Sequence, residues 1–169
     1  VLESSRLWRK TLTEIGKSYP EVKFECMFID NAAVQMMLKP SQFDVILTDN
    51  MFGDILSDQG SVIIGSVGLL PSASIGANNA MFEPFHGSYP QAKGKNIANP
   101  VASIFSTAML LQHFGLDEEA NAIVFAVHES FAKKVVTADI LGSNKYGTDY
   151  VGDFISEHIV DSDGNLHIN

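Results

Sequence analysis

Arginine is nearly absent: Arg6 and Arg9 are the only two, within eleven cationic residues set against twenty acids. The resulting net charge of -9 removes the electropositive footprint that nucleic acids and anionic membranes require, so neither is an expected partner. Two arginines close together near the start also equip the chain thinly for gripping a multiply charged carboxylate. Cysteine is limited to Cys26, which excludes an internal disulfide, fits a reducing cytoplasm and is expected as a small buried hydrophobe. The most apolar stretch, Ser61 to Ala77, is interrupted by Gly65, Gly68, Pro71 and Gly76, short of the roughly 20 residues a bilayer span needs. The opening Val1-Leu2-Glu3-Ser4-Ser5 has neither an initiator Met nor a signal-peptide pattern, so the chain reads as a piece of a longer one. What is present is a globular composition: 169 residues, 46% hydrophobic and 18% charged.

Leu2, Leu7, Trp8, Leu12 and Ile15 recur at helical spacing before Ser18-Tyr19-Pro20, which predicts an amphipathic helix. Strands are expected at Val22 to Ile29 and Phe43 to Thr48, with a helix over Asn31 to Leu38 between them. Asp49-Asn50 offers an N-cap for a helix from about Met51 to Ser66. This alternation predicts an α/β layered fold with a largely parallel or mixed sheet. Beyond Gly68 the texture turns to small and turn-forming residues, and Met81 to Lys95 reads as a long functional loop. An apolar helix from Asn99-Pro100 to about Phe114 and a second from Asp117 to Lys134 form an expected helical hairpin, closed between by Gly115. Gly142-Ser143-Asn144 turns the chain, Gly147-Thr148 leads a last helix to about Val160, and Asp161 to Asn169 is a polar tail expected to fray.

Two groups of residues have chemical uses. Asp54 and Asp58 stand four apart, on one helical face, and Asp30 falls at the end of an expected strand, where polar residues of open α/β sheets face a ligand crevice. An all-carboxylate set suits a hard cation such as Mg²⁺ or Mn²⁺ and disfavours zinc. The same spacing fits a solvated acidic face, which the residue pattern alone favours over a metal site. Asp44, Asp49 and Asp139 look like turn or cap residues. The second group runs from Glu83 through His86-Gly87-Ser88 to Asn99. It offers backbone N–H groups for a pyrophosphate, an imidazole to meet an adenosine, and an amide with both donor and acceptor for an adenine edge. Neither G-x-G-x-x-G nor a Walker loop is present, so by motif alone an ordinary Gly/Pro surface loop stays ahead of a nucleotide site. His113, His128 and His158 are expected to be structural or surface residues.

Taken together, Val1 to Arg9, Asp30-Asn31-Ala32-Ala33, Asn50 to Asp58, Leu69 to Ser74 and Glu83 to Asn99 resemble the isocitrate/isopropylmalate dehydrogenase family of metal-dependent β-decarboxylating dehydrogenases. The opening segment with Trp8 resembles its isopropylmalate branch. The resemblance covers nearly the whole chain but only the C-terminal half of the family's length. It implies that the catalytic lysine and tyrosine, and the arginines that hold the substrate's malate carboxylates, lie upstream of Val1, leaving no catalytic residue here.

Carried onto this sequence, the resemblance makes Asp54 and Asp58 metal ligands from one subunit and Asp30 a metal ligand and substrate contact supplied across a homodimer interface. It makes Glu83, His86, Gly87, Ser88, Gln91 and Asn99 the NAD-binding residues. Gln91 departs from the acid usual in NAD-using members and from the basic residue of NADP-using ones; it still favours NAD, because it supplies no cation for an added phosphate. The implied activity is NAD-dependent oxidative decarboxylation of (2R,3S)-3-isopropylmalate to 2-oxoisocaproate, in cytoplasmic leucine biosynthesis, with Mg²⁺ or Mn²⁺. The chain alone is expected to be inactive. Residues 1–66 are expected to complete a small dimer-forming domain and 67–169 a larger nucleotide-side domain. Two other readings stand beside this: a family member acting on isocitrate, homoisocitrate, tartrate or D-malate, and a dimerisation fragment without activity.

Overall fold

A computed structural model describes residues 2–142 and 145–159 of the chain. Ser143 and Asn144 of the expected turn, the end of the last helix at Val160 and the tail 161–169 lie outside the described residues, as does Val1. The chain divides into two compact units, Val1–Leu56 and Ser57–Asn169, with the division falling inside a helix.

In the first unit the helical periodicities hold. Helix α1 spans Glu3–Gly16 and α2 spans Ile29–Leu38, followed by a 3₁₀ turn at Pro40–Gln42. Helix α3, Asn50–Ile64, begins in this unit. Its start is capped as the sequence predicts: the Asp49 carboxylate accepts the Phe52 amide at 3.0 Å, satisfying one of the N–H groups a helix start leaves without a partner. The two expected strands do not form. Their backbone is extended at Phe28 (φ -70°, ψ 145°) and Phe43 (φ -102°, ψ 120°), yet no described segment pairs with either stretch, and a strand needs a ladder partner. Side chains that pattern as strand core are therefore exposed, Val45 by 86% and Phe28 by 68%. Cys26, expected buried, is exposed for the same reason. Asp30 correspondingly sits in the first turn of α2 rather than at a strand end.

The second unit carries the core. After α3, a 3₁₀ turn at Val67–Leu69 leads into β1, Pro71–Ile75, which pairs antiparallel with β2, Ala80–Pro84, in the register Ser72 to Glu83 and Ser74 to Met81. This hairpin stands where the sequence suggested only turn-rich chain. It is the whole sheet among the described residues, so the expected parallel pairing is not seen in them. The hairpin packs on α4, Val101–His113, and α4 packs on α5, Asp117–Ala132, as the expected helical hairpin. A short α6, Ala138–Leu141, and α7, Thr148–Ile159, complete the unit.

Val101, Ala126, Val127, Val135, Val151 and Ile155 form the main buried cluster, joining α4, α5 and α7. A smaller one unites Ala108, Ala120 and Ile123. The alanines let helices approach closely, and the buried hydroxyls of Ser106 and Ser130 are satisfied by the carbonyls of Ala102 and Val127, each at 2.8 Å.

Candidate functional site

Asp54 and Asp58 lie one turn apart on α3, both exposed, as their spacing requires. Asp54 precedes the division between the units and Asp58 follows it. The carbonyl of Asp58 accepts the Ser61 hydroxyl at 2.6 Å, a bond that leaves the carboxylate out of the contact. Asp30 is exposed on α2, where its Oδ1 accepts the Asn31 amide at 2.8 Å. Among the described residues no three His, Cys, Asp or Glu side chains gather into a metal-binding group. The α3 pair has the hard oxygen chemistry that Mg²⁺ or Mn²⁺ takes, and by itself it fills only part of either ion's coordination.

The loop residues are held in detail. Glu83 is exposed on β2, opposite Ser72. His86 follows the strand half-buried, and its Nδ1–H donates to the Gly87 carbonyl at 3.0 Å. Gly87 and Ser88 are exposed, and Gln91 is exposed on a 3₁₀ turn, Pro90–Ala92.

Asn99 is less open than the expected role of an adenine reader would require. Its Oδ1 accepts the Val101 amide at 3.0 Å, capping α4, and its Nδ2 donates to Asp139 Oδ2 at 3.0 Å. Asp139 also accepts the Ser66 hydroxyl at 2.5 Å and the Thr137 hydroxyl at 2.6 Å. Partial burial pushes the Asp139 carboxyl up, but the bonds from Ser66, Thr137 and Asn99 outweigh it and hold the group below its ordinary value. Gly68 is required beside this network, because a Cβ there would stand 2.7 Å from the Asn99 Cβ.

A second anchor lies three residues upstream. Asn96 Nδ2 donates to Asp149 Oδ1 at 2.6 Å, while the Asp149 amide donates to Asn96 Oδ1 at 3.1 Å and the Thr148 amide to the Asn96 carbonyl at 3.2 Å. The Thr148 hydroxyl adds a bond to the Ala98 carbonyl at 2.6 Å. The Asn96 bond, with help from the Tyr150 amide, holds the Asp149 carboxyl below its usual range. Between the two anchors opens a cavity of about 350 Å³ lined by Lys95, Asn96, Ile97, Ala138, Tyr146 and Gly147. Sequence reasoning missed this cavity and the part Asp139 and Asp149 play beside it. Gly147-Thr148 was the available signal, and it pointed to a helix start rather than to a docking point.

The family model for isocitrate/isopropylmalate dehydrogenase matches residues 1–155, and the chain belongs to that family. Among its relatives, the 3-isopropylmalate dehydrogenase of Bacteroides fragilis (strain YCH46) is 53% identical over 161 residues, 94% of this chain and 46% of that protein. The 3-isopropylmalate dehydrogenase of Pseudomonas fluorescens (strain Pf0-1) is 51% identical, over 92% of this chain and 44% of that one. The chain thus spans about half the length of the relatives it matches. Among solved structures, isocitrate dehydrogenase from Methylococcus capsulatus superposes with a TM-score of 0.87 at 40% identity, covering 91% of this chain and 46% of that one. A β-decarboxylating dehydrogenase from Thermococcus kodakarensis gives 0.77 at 36% identity, over 93% and 46%. Among the described residues no helix is long and apolar enough to cross a membrane.

Proposed function

We propose that this chain is the metal- and nucleotide-carrying half of an NAD-dependent oxidative decarboxylase of (2R,3S)-3-isopropylmalate, working in leucine biosynthesis in the cytoplasm as a homodimer. The observation that carries the reading is identity above 50% with proteins of that name over more than nine-tenths of the chain. Residues 1–66 belong in this reading to a dimer-forming domain and 67–169 to a nucleotide-side domain.

Asp54 and Asp58 supply two carboxylates to Mg²⁺ or Mn²⁺, and Asp30 of the partner subunit supplies the third and touches substrate. An ion bound there would polarise the substrate hydroxyl and its adjoining carboxylate, easing loss of the proton as hydride leaves and stabilising the charge left by loss of CO₂. The chain's own residues do the rest of what it contributes. Gly87 and Ser88 present exposed backbone N–H groups to the pyrophosphate, and His86 Nε2 accepts from an adenosine hydroxyl. Gln91 meets the ribose hydroxyls without a charge. Because the Asn99 amide is already bonded to Val101 and Asp139, the base sits in the cavity beside Ile97 and Ala138, whose volume lies within the usual range for ligand sites.

The test is a substrate panel of 3-isopropylmalate, isocitrate, homoisocitrate, tartrate and D-malate with NAD and Mn²⁺, run on the longest reading frame that contains this chain. NADH formation fastest with 3-isopropylmalate is expected; preference for another acid refutes the substrate. The structural likeness to isocitrate dehydrogenase favours isocitrate as the second reading. The 169-residue chain alone, which spans about half the length of the relatives it matches, is expected to turn over none of the five.

A further inference from the structure

The 96–99 segment ends on two carboxylates that belong to no part of the proposed chemistry. At one end Asn96 is bound to Asp149, and at the other Asn99 is bound to Asp139 across 40 positions of sequence. The Asp139 end is the more consequential. Its Oδ2 receives both the Ser66 hydroxyl, from the turn that follows α3, and the Asn99 amide, from the end of the nucleotide loop; its Oδ1 receives Thr137. Asn99 in turn caps the Val101 amide and packs against Gly68, leaving no room for a Cβ there. One carboxylate therefore sets where the loop stops and where α4 starts, and its neighbour Ala138 lines the cavity.

We propose that Asp139 is a positioning residue for nucleotide binding, holding Asn99 and the loop before it in the bound arrangement before any ligand arrives. The proposal rests on the nucleotide reading of the 83–99 segment. Its physical content is preorganisation: a loop already fixed by internal bonds loses little freedom when a ligand docks, whereas a released one must be ordered at the ligand's expense.

Substitution distinguishes this from a merely structural role. Asp139→Ala removes all three acceptor contacts. Asp139→Asn can keep them, since its amide oxygen still accepts from Ser66 and Asn99, while its NH₂ donates to the Thr137 hydroxyl, which reverses its own role. Calorimetric titration of the 169-residue chain with NAD, well below each variant's own melting transition, is expected to show binding about tenfold weaker for Asp139→Ala and within about twofold of the parent for Asp139→Asn. Equal affinity in Asp139→Ala and the parent overturns the proposal, as does loss in Asp139→Asn as large as in Asp139→Ala. Should Asp139→Ala not fold, Asp139→Ser, too short to reach Asn99, takes its place with the same expectation.

Amide exchange in the absence of NAD separates this from the underlying reading. If the parent chain binds no NAD, the nucleotide reading of the loop fails, and exchange decides the anchoring by itself. Faster exchange at Val101 in Asp139→Ala supports it, and unchanged exchange sinks it.

Discussion

Gly147→Ala gives the sharpest test of how the loop is anchored. A Cβ at Gly147 would stand 2.5 Å from Asn96 Nδ2, 2.8 Å from its Cγ and 2.8 Å from its carbonyl oxygen. The amide end can rotate away; the carbonyl is backbone and cannot move without carrying residues 95–97 with it. The same carbonyl accepts the Thr148 amide, and the Asn96 side chain accepts the Asp149 amide, so relief of the clash uncaps the first turn of α7. Overpacking of this kind costs about 1–3 kcal/mol and a lost backbone bond about 1 more, for a total near 2–4 kcal/mol. At about 2–4 °C per kcal/mol for a chain of this size, the melting temperature should fall by about 4–16 °C. Gly152, on the same helix, is the control: nothing lies within 4 Å of its Cβ position. Gly152→Ala should therefore stabilise by about 0.5–1 kcal/mol through the lower entropy of its unfolded state. Far-UV circular dichroism melts of both variants, with amide exchange at Thr148 and Asp149, read the two effects. A Gly147→Ala melt within about 2 °C of the parent, or a Gly152→Ala melt that drops as far, would refute the reasoning.

Truncating Ile155, 1% exposed in the α4–α5–α7 cluster, to Ala should cost about 2–5 kcal/mol in urea titrations and broaden exchange across those helices. Asp139 and Asp149 are both held below their ordinary value in the folded chain. The stability they contribute is thus fully present above about pH 4 and is lost as pH falls through their lowered folded values. Denaturation midpoints should drop over that window, and the drop should shrink in the double variant D139N/D149N; an unchanged slope would show that other groups carry it. Manganese titrated against the chain, followed by the ion's paramagnetic resonance, should bind weakly and lose that binding in D54N/D58N, whereas equal binding in the double variant would remove α3 from the metal site.

Much of this architecture is legible in the sequence, and what is not has a physical reason. Helices α1, α4 and α5 follow from periodicity and from punctuation by Pro20, Pro100 and Gly115, because a helix satisfies its hydrogen bonds within its own segment. The stretches 22–28 and 43–48 show the limit of the same reasoning. Their composition is that of strands, but a strand is completed by a neighbour, and composition cannot say which residues supply it. The β1–β2 hairpin was hidden for the opposite reason: Pro71-Ser72-Ala73-Ser74 has weak strand propensity, and what makes it a strand is its pairing with Ala80–Pro84 and its place against α4.

The aspartates show the same division within the site. Asp49 declares itself as a cap because its partner, the Phe52 amide, is three residues away. The spacing of Asp54 and Asp58 is likewise local, so one turn of α3 presents both, whatever they bind. Asp139 has no such signal. Two of its three donors, Ser66 and Asn99, are 73 and 40 residues distant, and nothing near Ala138-Asp139-Ile140 distinguishes it from an ordinary acid in a short helix. Asp149 is alike, tied to Asn96 across 53 positions. Residues that would touch a ligand are thus readable from local chemistry, while those that hold them in place are set by distant contacts. The carboxylates bonded around Asn96 and Asn99 are committed to shaping the loop.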